Sequence, residues 1–182
     1  MEPTTTPRSD DPTNSRPTHL THFPMQDKPQ TTSPAPAPLE GKPSGFRSLV
    51  GYHPVVWEEG HAVIHMVVRP EHLNSLGIIH GGVYMTLMDA AMGHAVSWAS
   101  VKGNVRRAVT LSLTTRFVTA AKAGVVINAV GDLVSVDGRM ATVEGRVVDA
   151  AGTLLATGQS TFMYLPGSER REGVPRAKPA GG

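Results

Sequence analysis

From Gly81 to Trp98 the sequence GGVYMTLMDAAMGHAVSW is apolar or small at nearly every position and carries one acid, Asp89. The spacing predicts a helix, and a helix apolar almost all round has to be buried on most of its sides. Ala90, Ala91, Gly93 and Ala95 keep it thin, so other backbone can approach closely. A chain with such a helix must supply a layer that surrounds it, and the remaining sequence reads as strands. GHAVIHMVV (60–68) alternates, with Ala62, Ile64, Met66 and Val68 on one face. Pro70 ends it, and 71–79 is expected to be a loop. VTLSLTTRFV (109–118) puts Val109, Leu111, Leu113, Thr115 and Phe117 on one face; Thr110, Ser112, Thr114 and Arg116 take the other. GVVINAVGDLVSV and RMATVEGRVVDA flank Asp137-Gly138, a two-residue hairpin signal. DAAG (149–152) is a further turn, and TLLATGQSTFMYL is the last strand. Tight turns imply antiparallel neighbours. The expected fold class is therefore α+β, a long central helix wrapped by a curled antiparallel sheet, with no internal repeat.

Composition sets the limits of this unit. Ten of the 15 prolines fall within residues 1–45, which are rich in Thr and Ser and poor in large apolar residues. Such a segment cannot bury enough surface to offset its ordering entropy. It is expected to be a disordered tail; it lacks an apolar signal-peptide core, Asp10 and Asp11 argue against a transit peptide, and Met25 is an alternative initiator. PGSERREGVPRAKPAGG reads as a second tail, giving 1–45 tail, 46–165 folded domain and 166–182 tail as the expected organisation. The chain has no cysteine, which removes disulfides, thiolate catalysis and Cys-based metal sites. Net charge is +2, with acids and bases mixed along the chain and no basic stripe, which argues against nucleic acid. No stretch reads as a membrane span, since the best candidate, 81–101, holds Asp89 and His94. A cytoplasmic location is expected.

His80-Gly81-Gly82 opens the helix. The first N–H groups of a helix have no internal partner and carry the positive end of its dipole. Two glycines there remove side chains from the approach, so a substrate oxygen could reach those N–H groups, as an oxyanion hole requires. The alternative is that the glycines only make a tight loop-to-helix turn. Asp89 lies two turns further on, and Met85, Met92 and Val96 along its side predict a buried acid, which needs a partner or a task. The alternative is an Asp facing solvent. Asn74, alone, is a turn residue as readily as a site residue, and Thr110 and Ser112 are ordinary strand hydroxyls.

Together these residues carry a resemblance. NSLGIIHGGVYMTLMDAAMG resembles the signature of the hotdog-fold thioesterases of the phenylacetic-acid-degradation (PaaI-like) type, with Asn74, Gly77, His80, Gly81, Gly82 and Asp89 at its anchors. The downstream AVTLSLTTRFVTAAKAG is similar to the family's next strand, where Thr110 matches a Ser or Thr. The resemblance spans about 46–165 and implies a hotdog fold, an acyl-CoA substrate with an aromatic or medium- to long-chain acyl group, and hydrolysis without a cofactor. It also implies a homodimer or homotetramer with sites between subunits. By position, Gly81 N–H, with Gly82, would polarise the thioester carbonyl, and His80 would hold the loop. Asp89 would be the nucleophile or the base that activates water, and Asn74 and Thr110 would orient water or carboxylate.

Rival readings rest on weaker signals. HFPM (22–25) is similar to the His-Phe-Pro-Gly of hotdog dehydratases but lacks the glycine and the helix that follows it. His61 and His65, four apart in a strand, stand about 13 Å from one another, too far for one metal ion; no metal site is expected. A non-catalytic acyl-CoA-binding or regulatory domain is the main rival, and the Asn/His-Gly-Gly/Asp set favours the enzyme, because a pure binder has no need of the acid. Met85, Met88 and Met92 suggest an adaptable apolar pocket or simply core.

Overall fold

The structure, a computed structural model, describes residues 45–175. The tail expected at 1–45 lies outside the described residues but for Gly45, as do 176–182 and the HFPM stretch. In chain order the elements are α1 (Gly45–Val50), β1 (His53–Glu58), β2 (His61–Val67), one 3-10 turn (Pro70–His72), α2 (Gly81–Ser97), β3 (Asn104–Val105), β4 (Ala108–Phe117), β5 (Val126–Asp137), β6 (Met140–Asp149), β7 (Leu154–Tyr164) and β8 (Val174–Pro175). Six strands form one sheet in the order β1-β2-β5-β6-β7-β4, antiparallel at every step. Helix α2 touches all six, so the sheet curls round it as expected. Ala62, Ile64, Met66 and Val68 are buried on the inner face, with Leu87, Met88, Ala91, Met92, Ala95 and Val96 of α2 against the sheet. The Asp137–Gly138 hairpin forms, with Asp137 paired to Met140 and Gly138-Arg139 as the connecting pair. Gly138 takes a φ of +56, the conformation for which glycine is suited.

A row of small residues seats the helix. Ala62 pairs with Gly131, Gly131 with Gly145, Gly145 with Gly158, and Gly158 with Thr115. A Cβ on Gly131 would stand 2.6 Å from the carbonyl carbon of Ala91 and 2.7 Å from the Met92 nitrogen. At Gly145 it would meet the flexible Met92 side chain, with Sδ at 3.0 Å. A glycine inside a strand marks such close backbone approach. Gly131→Ala is expected to push the helix off the sheet and cost at least ~1–3 kcal/mol. Gly145→Ala should cost less, because a methionine can move. Urea melts of both variants check the ranking.

Three expectations are corrected. First, β4 does not alternate throughout. Its pairing with β7 shifts between Thr110 and Ser112, so Leu111 is an extra residue in a bulge. Thr110 therefore faces α2, on the same side as Leu113 and Phe117, rather than on the opposite face with Ser112. Second, α2 is not covered all round. Gly82, Met85 and Asp89 form an open line along it, while Met92 and Val96 lie on the buried side. Third, residues 166–175 are not a free tail. β8 pairs with β3, Ser168 is buried, and Arg106 donates to the carbonyls of Ser168 and Glu169. Its guanidinium stacks over the Tyr164 ring at 3.9 Å. These partners are more than 60 residues away in sequence, which is why a polar segment without a core of its own is held.

Candidate active site

The loop before α2 is built by local hydrogen bonds. Asn74 Oδ1 accepts from the N–H of Leu76 (2.9 Å) and more weakly from that of Ile78 (3.4 Å), while the Asn74 N–H donates to Ile78 O. Gly77, at φ +70, closes the turn. Leu73 bridges Ile79, and the Ile79 N–H donates to Ala121 O, so the loop ends pinned to the body. The His80 N–H donates to His72 O. His72 is itself buried, accepts from Arg69 N through Nδ1 and bonds Val50 O through Nε2. His72 thus ties α1, the 3-10 turn and the start of α2 together, a role sequence reasoning missed because nothing in the local pattern marks it.

His80 is the N-cap of α2. Its Nδ1 accepts from the Gly82 N–H at 2.9 Å, which leaves the other ring nitrogen to carry the proton when the ring is neutral. The Gly82 N–H is therefore already committed. The Gly81 N–H has no acceptor among the described residues. Neither glycine has a left-handed φ, so backbone conformation does not require them. Space is tight at both: a Cβ on Gly81 would lie 3.0 Å from Phe117 Cζ, and one on Gly82 3.0 Å from His80 Nδ1, so the neighbouring ring would have to give by a few tenths of an ångström.

Asp89 is exposed in the single chain, contrary to the buried acid expected, because it sits on the open line of α2 beside the free edge of β4. Its Oδ1 accepts a 2.7 Å hydrogen bond from Thr110 Oγ1, made possible by the bulge at Leu111. Tyr52, before β1, is a further neighbour that sequence reasoning passed over. Burial pushes its hydroxyl pKa up, Arg47 pulls it down, and the Asp89 charge pushes it up again. The structure thus brings together Asp89 with Thr110, and His80 with Gly82; Asn74 is engaged within its own turn. Asp89 follows Gly81 by eight residues on one straight helix, so about 12 Å separates them along the axis.

His61 and His65, the two strand histidines, have separate partners. His61 bonds Asp132 at 2.7 Å, and His65 bonds Asn128 at 3.0 Å. Among the described residues no group of three or more His, Asp or Glu is arranged to hold a metal ion. No helix among them is long and apolar enough to cross a membrane.

Known proteins share this fold. Residues 76–156 match the Thioesterase superfamily. The TT0310 protein from Thermus thermophilus is 30% identical, with a TM-score of 0.60, covering 68% of this chain and all of its own. An asparagine-to-aspartate mutant of the phenylacetic acid degradation protein PaaI from the same organism is also 30% identical, with a TM-score of 0.60, covering 67% of this chain and 100% of that one. A "Putative esterase" of Archaeoglobus fulgidus is 32% identical over 104 residues, a match that spans 57% of this chain and 64% of that protein's length. These two solved structures are matched over their whole length, and the chain belongs to the thioesterase superfamily, as a hotdog-fold, PaaI-like member.

Proposed function

We propose that the protein hydrolyses acyl-CoA thioesters, using Asp89 of one subunit and the Gly81 N–H of another. The observation that carries this reading is the separation of the two groups on one helix. A thioester carbonyl is about 1.2 Å long, and its carbon and oxygen cannot meet an acid and a donor some 12 Å apart. One chain therefore holds two half-sites. A two-fold axis passing near Met85, midway between residues 81 and 89, sets two open helix faces antiparallel. It brings Asp89 of each copy opposite Gly81 of the partner subunit. The sheet supports the same axis. Among the described residues β4 pairs only with β7, and its other edge is open and apolar, with Val109, Leu111 and Phe117 at 42%, 51% and 53% exposure. Natural sheets cover or pair such an edge.

In the assembled site the partner's Gly81 N–H, at the positive end of α2, stabilises the charge that develops on the carbonyl oxygen. Asp89, held by the Thr110 hydroxyl, attacks the carbonyl carbon or takes the proton of the water that does. The C–S bond breaks, the CoA thiolate leaves and is protonated, and water supplies the oxygen of the free acid. His80 fixes the first turn of α2, and Asn74 shapes the loop that leads to it. The acyl group, aromatic or aliphatic, packs against the open line of α2 beside Met85, since Met88 and Met92 are core.

Two measurements test this. Light scattering is expected to give a dimer or tetramer mass. A monomer with full activity at nanomolar protein would contradict the shared site. A panel of aromatic and straight-chain acyl-CoA thioesters, followed by thiol release, is expected to yield at least one turned-over substrate. Tight CoA binding with no turnover of any of them would favour a binding domain instead.

A further inference from the structure

We propose a second ligand site, at the far end of α2 from Gly81, that takes a small flat aromatic ring bearing an anionic group. A cavity of about 350 Å³ opens there between β1 and the loop that follows α2, lined by Trp57, Trp98, Val101, Lys102 and Asn104 among others. This volume falls at the lower end of the range used by small-molecule sites. The chain has two tryptophans, and both line this cavity, half-buried. The Trp57 ring is fixed before any ligand arrives. It stands on the inner face of β1 opposite Ala62, its Nε1–H donates to His94 O at 2.8 Å, and the His94 ring meets it edge-on at 5.9 Å. Trp98 is the C-cap of α2, so its position follows from the end of the helix.

The opposite wall is held as well. Asn104 Nδ2 donates to Glu172 O, and Ser100 donates through both N–H and Oγ to Arg171 O. Arg171 in turn pairs with Glu59, at the β1–β2 turn. The 166–175 segment thus ties the loop after α2 to the start of the sheet. Lys102 has no ion-pair partner among the described residues. Fixed indole rings offer stacking to a planar ring, and an unpaired ammonium at the mouth offers a counter-charge to an anion. The ring contributes more than the charge, because stacking on a fixed indole removes both faces from water, whereas an exposed ion pair is weakened by solvent and salt. An aromatic carboxylate and a nucleoside monophosphate share this chemistry. The site uses none of the residues assigned to thioester hydrolysis.

Because both tryptophans line the cavity, emission excited at the red edge of indole absorption reports on it alone. Phenylacetate and AMP are titrated separately into the full-length protein, with benzyl alcohol as a ring without charge and acetate as a charge without a ring. A saturable emission change with phenylacetate or with AMP, absent with both controls, is the expected result, and whichever ligand acts names the source. Lys102→Ala is expected to weaken that binding three- to fivefold and Trp98→Ala about tenfold or more. Acyl-CoA turnover without added aromatic anion should be unchanged in Lys102→Ala, which separates this site from the hydrolytic one. The proposal is overturned if neither anion shifts the emission, if benzyl alcohol acts as well as phenylacetate, or if Lys102→Ala binds the anion as the parent does. Should Trp98→Ala fail to fold, the lysine variant and the two half-ligand controls still decide.

Discussion

Replacing Asp89 by asparagine is expected to lower kcat for thioester hydrolysis by ~10²–10⁴, the range for loss of a general base, and by more if the carboxylate is the nucleophile. The fold should be unaffected. Asp89 is exposed, and asparagine keeps an oxygen that can accept from Thr110 Oγ1, so stability should stay within ~0.5 kcal/mol of the parent. Steady-state thiol release from an active acyl-CoA, with thermal melts of both proteins, checks the two halves of this expectation. Near-parental turnover in a folded variant would remove Asp89 from the chemistry.

Gly81→Ala is expected to separate kcat from both stability and affinity. Gly81 does not adopt a left-handed φ, so alanine meets no backbone strain there. Its methyl meets the edge of Phe117 at 3.0 Å, and that ring is exposed enough to shift. Stability should therefore hold. The methyl lies beside the one first-turn N–H that this structure leaves open, and losing an oxyanion donor lowers kcat by ~10²–10³. Product-CoA affinity should change far less, because free CoA lacks the thioester carbonyl that this N–H would meet. Gly82→Ala is the comparison. Its N–H already serves His80, so alanine there should disturb the cap, at ~1 kcal/mol of stability. A destabilised Gly81→Ala with normal kcat would leave the glycine a packing role only.

Much of this architecture was legible in the sequence, for definite reasons. The span of α2 follows from a long apolar run bounded by His-Gly-Gly and a turn-rich stretch. The inner face of β2 follows from strict alternation, and the β5–β6 connection from Asp137-Gly138. What escaped are features set by long-range partners. The bulge at Leu111 is invisible to alternation, since one extra residue in an apolar strand leaves no local mark; yet it is what turns Thr110 toward Asp89. β1 was passed over, a six-residue strand containing Pro54 and its own register shift. The order of 166–175 depends on Arg106, Asn104 and Ser100, and polar residues held by distant partners read as tail. The glycine row shows only when strands are in register, as Gly131, Gly145 and Gly158 are far apart in sequence. Asp89 read as buried because its neighbours are apolar, and in one chain it stands open beside an unpaired strand edge.

The central claim, that each site takes its acid from one subunit and its oxyanion donor from the other, is tested most directly by mixing two inactive variants. Asp89→Asn and Gly81→Ala are each purified, combined in equal amounts under conditions of subunit exchange, and assayed for thiol release. A mixed dimer holds one site with both substitutions and one with neither, so random pairing should restore about one quarter of the parental activity. Activity no greater than the sum of the separate variants, with exchange verified by mass, would place acid and donor in the same chain and contradict the account.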